Sequence, residues 1–222
     1  MSFAADRIIA DQLANVNKIV IVSHIRPDGD AVGSALAFGS ALREAGKAVQ
    51  VVLQDGVSER YLYLPGASEV SKEISLDYDY IIVVDSADRF RVGDVLDGLP
   101  EPDLVVDHHK THINFGKIDY VEPETEATAL LLTNKLPDWG LKISKDTATC
   151  LMVGLLADTL GFRTNNTTPN ALRTAADLME KGVDLVHGSK SITLAKEPTE
   201  TVIILDALSG SGTMDVTLSW DY

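Results

Sequence analysis

A series of short apolar runs separated by helix-length stretches constrains this chain more than any other feature of its sequence. "KIVIVSH" (18–24) is short, β-branched and apolar, the pattern of a strand covered on both faces of a parallel sheet. "KAVQVVLQ" (47–54), "DYIIVVD" (79–85) and "DLVVDHH" (103–109) read as further strands, and "KIDYV" (117–121) as a fifth at the edge. Helices are expected over about 3–15 and about 30–45. The second carries Gly33, Ala37, Ala41 and Ala45 at a spacing of four, a stripe that would let it lie close to the sheet, and Gly46 is a natural stop. Strands alternating with helices imply an α/β fold with a largely parallel five-stranded sheet flanked by helices.

From about residue 126 the chain turns helical. Ser144 can cap a helix running to about Asp158, with Ala148, Leu151, Met152, Leu155 and Leu156 on one face. Thr168, Pro169 and Gly182 supply the cap, the first-turn proline and the final glycine of the next. A last helix is expected over about 198–208, after which "MDVTLSWDY" alternates like a half-buried strand.

Three of the apolar runs end directly in side chains able to hold a metal ion. The first leads to His24, Asp28 and Asp30 in "SHIRPDGDA", the third ends at Asp85, and the fourth at Asp107, His108 and His109. Beyond the carboxyl ends of parallel strands lies the ligand crevice of open α/β sheets, so these groups should converge on one rim. The helix after Ser144 adds Asp158. Taken singly, Asp85 reads as a turn former, Asp30 as a helix cap, and either histidine as a satisfied side chain at the core edge. Together, so many carboxylates and imidazoles would repel and resist desolvation without cations. Two divalent ions would offset that charge. Mixed carboxylate and imidazole donors without thiolate suit Mn2+, with Mg2+ or Co2+ as substitutes. Gly29 is expected to let the backbone turn sharply towards the ions, and Arg26 is a candidate phosphate contact.

Composition narrows the partners. The 222 residues are 45% hydrophobic, enough for a buried core, and no apolar run approaches the roughly 20 residues of a membrane span. A net charge of -14 argues against binding long duplex nucleic acid, whereas a short phosphate-bearing substrate is compatible with bound cations. Cys150, the single cysteine, precludes an intrachain disulfide and reads as a small core side chain. With no signal-peptide layout at the N-terminus, a cytoplasmic protein without membrane association is expected. A homodimer is left open.

"SHIRPDGDAVGS", "VVDSAD", "VVDHHK" and "GLLADTLGF" resemble, in order, the four motifs of the DHH phosphoesterase superfamily, which includes RecJ-type nucleases. The resemblance runs from about residue 17 to 208. "ERYLYLPGA" and "FRTNNTTP" further resemble the branch of bacterial nanoRNases that also dephosphorylate 3′-phosphoadenosine 5′-phosphate (pAp). The resemblance implies hydrolysis of short oligoribonucleotides or pAp through a hydroxide shared by two ions. It implies His24 and Asp28 on one ion, Asp30, His108 and Asp158 on the other, and Asp85 on both. It further implies that Asp107 orients a neighbouring ligand, that His109 faces the substrate phosphate, and that Arg163 and Asn165 contact substrate.

The superfamily continues into a second domain with a glycine-rich motif, and no such motif is found here. The expected division is therefore a catalytic domain over 1–192 and, over 193–222, a connecting helix with the start of a truncated substrate-binding domain. Alternatives are a cyclic-dinucleotide phosphodiesterase, a RecJ-type exonuclease, and a fragment that binds metal without turnover.

Overall fold

The computed structural model describes residues 3–183. The helix expected over 198–208, the terminal strand and the boundary at 192/193 lie outside the described residues. Five strands, β1 (Lys18–Val22), β2 (Ala48–Val52), β3 (Tyr80–Val84), β4 (Leu104–Asp107) and β5 (Asp119–Val121), form one sheet in the order β2-β1-β3-β4-β5. Every pairing is parallel. The strand order reverses around β1, so the crevice beyond the ends of β1 and β3 is the topological switch point.

The helices are α1 (Phe3–Asn15), α2 (Gly29–Glu44), α3 (Thr128–Lys135), α4 (Lys145–Asp158) and α5 (Pro169–Glu180). Ser144 and Thr168 cap α4 and α5 through their side-chain oxygens, as their positions in the sequence predict. The helices share one core with one face of the sheet, including Ile19, Ile21, Ile82, Val84 and Val106. The opposite face, with Val20, Val22, Ile81, Val83 and Val105, packs instead on Val92 and Leu96 of a short 3-10 segment. Near-continuous apolar strands follow from this double coverage.

Two expectations about helices change. The residues of α4 are buried nearly all round, Cys150, Val153 and Gly154 included, because α4 is wedged among α2, α3 and α5. The small-residue stripe of α2 also serves a neighbour other than the sheet. A Cβ at Gly33 would lie 2.5 Å from the Cys150 carbonyl oxygen, so Gly33 lets α2 and α4 touch backbone to backbone. Gly33→Ala is expected to cost about 1–3 kcal/mol through overpacking. An unchanged urea midpoint would refute this close-contact explanation.

Candidate metal centre

Each strand that reaches the crevice delivers a donor within two residues of its end. His24 follows β1, Asp85 follows β3, and Asp107 is the last residue of β4, with His108 and His109 after it. Asp85 has a φ of 55°, a left-handed conformation that Asp and Asn tolerate better than most residues. Its N–H donates to the Val106 carbonyl at 2.9 Å, which ties the bend to β4. Arg26 has a similar φ of 52°, and its N–H donates to Asp55. Helix ends complete the rim: Asp28 caps α2, Asp30 lies in its first turn, and Asp158 closes α4.

The cap of α2 is Asp28, whose Oδ1 accepts from the N–H groups of Asp30 and Ala31. Asp30 is therefore not the cap. It is fully buried and accepts from the N–H groups of Thr128 at 2.6 Å and Ala129 at 2.9 Å, and from the Ser34 hydroxyl at 3.0 Å. Gly29 makes no sharp turn; it is helical, and its missing side chain makes room for Ala157 and the Tyr61 hydroxyl.

Among the described residues the donors fall into three overlapping groups: His24, Asp28 and Asp85; Asp30, His108 and Asp158; and Asp85, His108 and His109. His24 Nε2 lies 3.9 Å from Asp28 Oδ1 and 3.7 Å from Asp85 Oδ2. His108 Nε2 lies 3.7 Å from Asp85 Oδ1, 3.9 Å from Asp30 and 3.1 Å from Asp158. Gaps of this length are mostly too long for hydrogen bonds. They lie within or just beyond the roughly 3–3.7 Å that separates donors sharing one cation at about 2.1 Å. Both rings are aimed by their other nitrogen: Nδ1 of His24 donates to the Ile25 carbonyl at 2.8 Å, and that of His108 to the Thr125 carbonyl at 3.1 Å. A carbonyl only accepts, so each neutral ring presents an Nε2 lone pair to the carboxylates. The donor set therefore fits divalent cations.

His109 is placed differently. Its Nδ1 is 2.7 Å from Asp107 Oδ1, and the other oxygen of Asp107 is 2.7 Å from His112 Nδ1. With both oxygens occupied this way, Asp107 orients His109 rather than the cluster histidine His108. Although His109 Nδ1 lies 3.8 Å from Asp85, its bond to Asp107 leaves Nε2 as the nitrogen free for chemistry. Arg163 and Asn165 are exposed on the loop after Asp158, where Arg163 Nε donates to the Leu160 carbonyl.

The electrostatics are those of a site short of positive charge. Burial, then Asp85 and Asp158, hold the Asp30 carboxyl well above the ordinary carboxylate range, against the opposing pull of His108. Burial likewise raises Asp158. Burial lowers the His108 imidazole, but Asp158, Asp30 and Asp85 outweigh it and push it up to about 10. His24 is raised in the same way, burial being outweighed by Asp85, the Ile25 carbonyl and Asp28. Protons here do the work that cations would do.

Sequence inspection passed over several contributors. The Thr128 hydroxyl donates to Asp85 Oδ1 at 2.9 Å, and Ser34 and the N-terminus of α3 hold Asp30. Only "EATAL" just before a helix could have signalled Thr128, and its partners lie 43 and 98 positions away.

Residues 18–155 match the DHH family, N-terminal domain. The chain is 36% identical over 187 residues to the bifunctional oligoribonuclease and PAP phosphatase NrnA of Thermus thermophilus, covering 82% of this chain and 56% of that protein. It is 25% identical over 206 residues to a probable manganese-dependent inorganic pyrophosphatase of Bacillus mycoides, covering 86% and 66%. An exopolyphosphatase-related protein from Bacteroides fragilis superposes with a TM-score of 0.80 at 25% identity, covering 89% of this chain and 62% of that one. The chain spans about half the length of the curated relatives it first matches, 56% and 52%. Four ordered motifs, a crevice at the switch point of a parallel sheet, and this match over most of the described residues lead to one conclusion: the chain belongs to the DHH family.

Proposed function

We propose that this chain carries a two-cation, phosphoester-cleaving centre that acts on short oligoribonucleotides or on pAp. The observation that carries the proposal is the carboxylate of Asp85, whose two oxygens face different clusters. His24, Asp28 and Asp85 Oδ2 would hold one ion, and Asp30, His108 and Asp158 the other, with Asp85 Oδ1 joining them 3.7 Å from His108 Nε2. When bound, two such ions supply Lewis acidity and a water of lowered pKa. Mn2+ is favoured by the donor chemistry and by the relative named for manganese, with Mg2+ and Co2+ as substitutes.

His109 supports acid catalysis. Its Nδ1 is 2.7 Å from Asp107, which leaves Nε2 turned to the crevice, where the protonated ring would donate to the departing oxygen. Asp107 is itself held low: burial would raise it, but His109 and His112 outweigh that effect.

The surroundings favour a nucleotide over a bare phosphate chain. A cleft of about 610 Å³ opens from His24 and Asp28 and is lined by Arg26, Phe90 and Arg91. Phe90 is 93% exposed, an aromatic face beside two guanidinium groups in a strongly acidic chain. Phosphate would meet the arginines and a base would stack on the ring. With Mn2+, a ribodinucleotide and pAp are expected to be cleaved faster than a cyclic dinucleotide or pyrophosphate. Phe90→Ala is expected to raise KM for the ribodinucleotide about tenfold and leave pyrophosphate hydrolysis unchanged. Preference for pyrophosphate would overturn the nucleotide assignment, and bound metal without any turnover would favour a binding-only role.

A further inference from the structure

The buried chain of groups behind His109 is longer than the metal centre requires. Asp107, fully buried, joins His109 Nδ1 and His112 Nδ1, each at 2.7 Å. His112 Nε2 continues to Asp119 Oδ1 at 3.0 Å, and Asp119 also accepts from the N–H groups of Phe115 and Gly116. His112 is stacked on Phe115, with ring centroids 5.8 Å apart. Its side chain is only 5% exposed and belongs to none of the donor groups described above.

We propose that His112 is a positioning residue for the hydrolytic reaction, acting through Asp107 to fix the ring and tautomer of His109. An ionised carboxylate only accepts, so the two oxygens of Asp107 each require a donor. His109 supplies one. Without His112 the second oxygen would be buried and unpaired, and the carboxylate could rotate to bring either oxygen to His109 or to draw in water. With His112 donating to Oδ2, Oδ1 stays aimed at His109 Nδ1, and Nε2 stays aimed into the crevice. Asp119 anchors the far side of His112 and is itself held by two backbone N–H groups, so the support ends on the start of β5 rather than on a mobile tip. Outer partners of this kind typically change activity by about 10–100-fold. The inference rests on the role of His109 proposed above.

Two substitutions separate positioning from loop bracing. The amide nitrogen of Asn falls near the place of histidine Nδ1, and that of Gln near the place of Nε2. His112→Asn therefore keeps the donor to Asp107 and loses Asp119, whereas His112→Gln does the reverse. In full-length protein with Mn2+, His112→Gln is expected to lower kcat on a ribodinucleotide about 10–100-fold with KM and metal affinity unchanged, and His112→Asn to recover most of it. Nitrogen-detected NMR of the histidines provides a readout independent of turnover: the Nδ1–H form of His109 should persist in His112→Asn and be lost in His112→Gln. Recovery by Gln and not Asn, or equal loss in both, would assign His112 to bracing the loop and overturn the proposal. Inactive wild-type protein would refute the hydrolytic reading, while the NMR comparison would still decide the role of His112.

Discussion

Asp85→Asn is expected to lower Mn2+-dependent hydrolysis by about 10³-fold, an effect at the upper end of those seen when one group stabilising a charged transition state is lost. The substitution is nearly isosteric, and Asn accepts the left-handed backbone found at Asp85, so the bend after β3 should survive. It also keeps an oxygen for the Thr128 hydroxyl. What changes is charge and ligation: the one carboxylate facing both clusters becomes a neutral amide. Removing this charge relieves Asp30 and Asp158, both of which Asp85 pushes upward, but also takes a counter-charge from His24 and His108, so the two effects oppose each other in the metal-free protein. The Tm in chelator is expected to stay within about 2–4 °C of the parent, corresponding to roughly 1 kcal/mol. The same variant should lose most of the Tm gain that Mn2+ gives the parent. A variant that keeps its hydrolysis, or one that keeps the parent's full Tm gain from Mn2+, would contradict the proposed role of Asp85.

Metal-free protein should become less stable as the pH rises from 6 to 9, opposite to the trend with Mn2+ present. His24, His108, Asp30 and Asp158 all hold protons more tightly folded than unfolded. A raised folded value means stability that is fully present below the unfolded value and is lost as pH climbs through the folded one. For His108 that window runs from 6.5 to about 10, across the working range. For the two carboxyls the loss begins lower, above 3.8. Asp107 is lowered and acts oppositely, its contribution disappearing only as pH falls into the acid range. A Tm drop of about 5 °C or more between pH 6 and 9 is expected in chelator. Cations compete with these same protons, so the Tm increment from Mn2+ should grow over that interval. A flat Tm profile in chelator, together with a pH-independent Mn2+ increment, would show that the clusters do not share their protons as described.

Much of this was visible in the linear chain because it depends on neighbours in sequence. Apolar β-branched runs mark strands whatever surrounds them, and β1 to β5 appear where those runs lie. Ser144, Thr168 and Pro169 act on backbone groups two or three residues away, so the starts of α4 and α5 were legible too. Parallel strands release their chain at one common edge, which brings His24, Asp28, Asp30, Asp85, Asp107, His108 and His109 to one rim, while the choice of donors among them came from the resemblance to the DHH family.

Contacts across the fold were a different matter. Nothing local distinguishes Asp28, the cap, from Asp30, the buried acceptor, because the donors to Asp30 arrive from α3. Gly33 is a small residue on a helix until α4 is packed against it. His112 is one more histidine after a histidine pair until Asp107 is seen to face both it and His109. Sequence by itself determined the sheet, the caps of α4 and α5 and the residue types gathered at the strand ends, since those follow from residue type and short-range spacing. Only the tertiary structure decided which oxygen faces which ring, because the hydrogen bonds and helix contacts that aim a side chain come from segments far away in the chain.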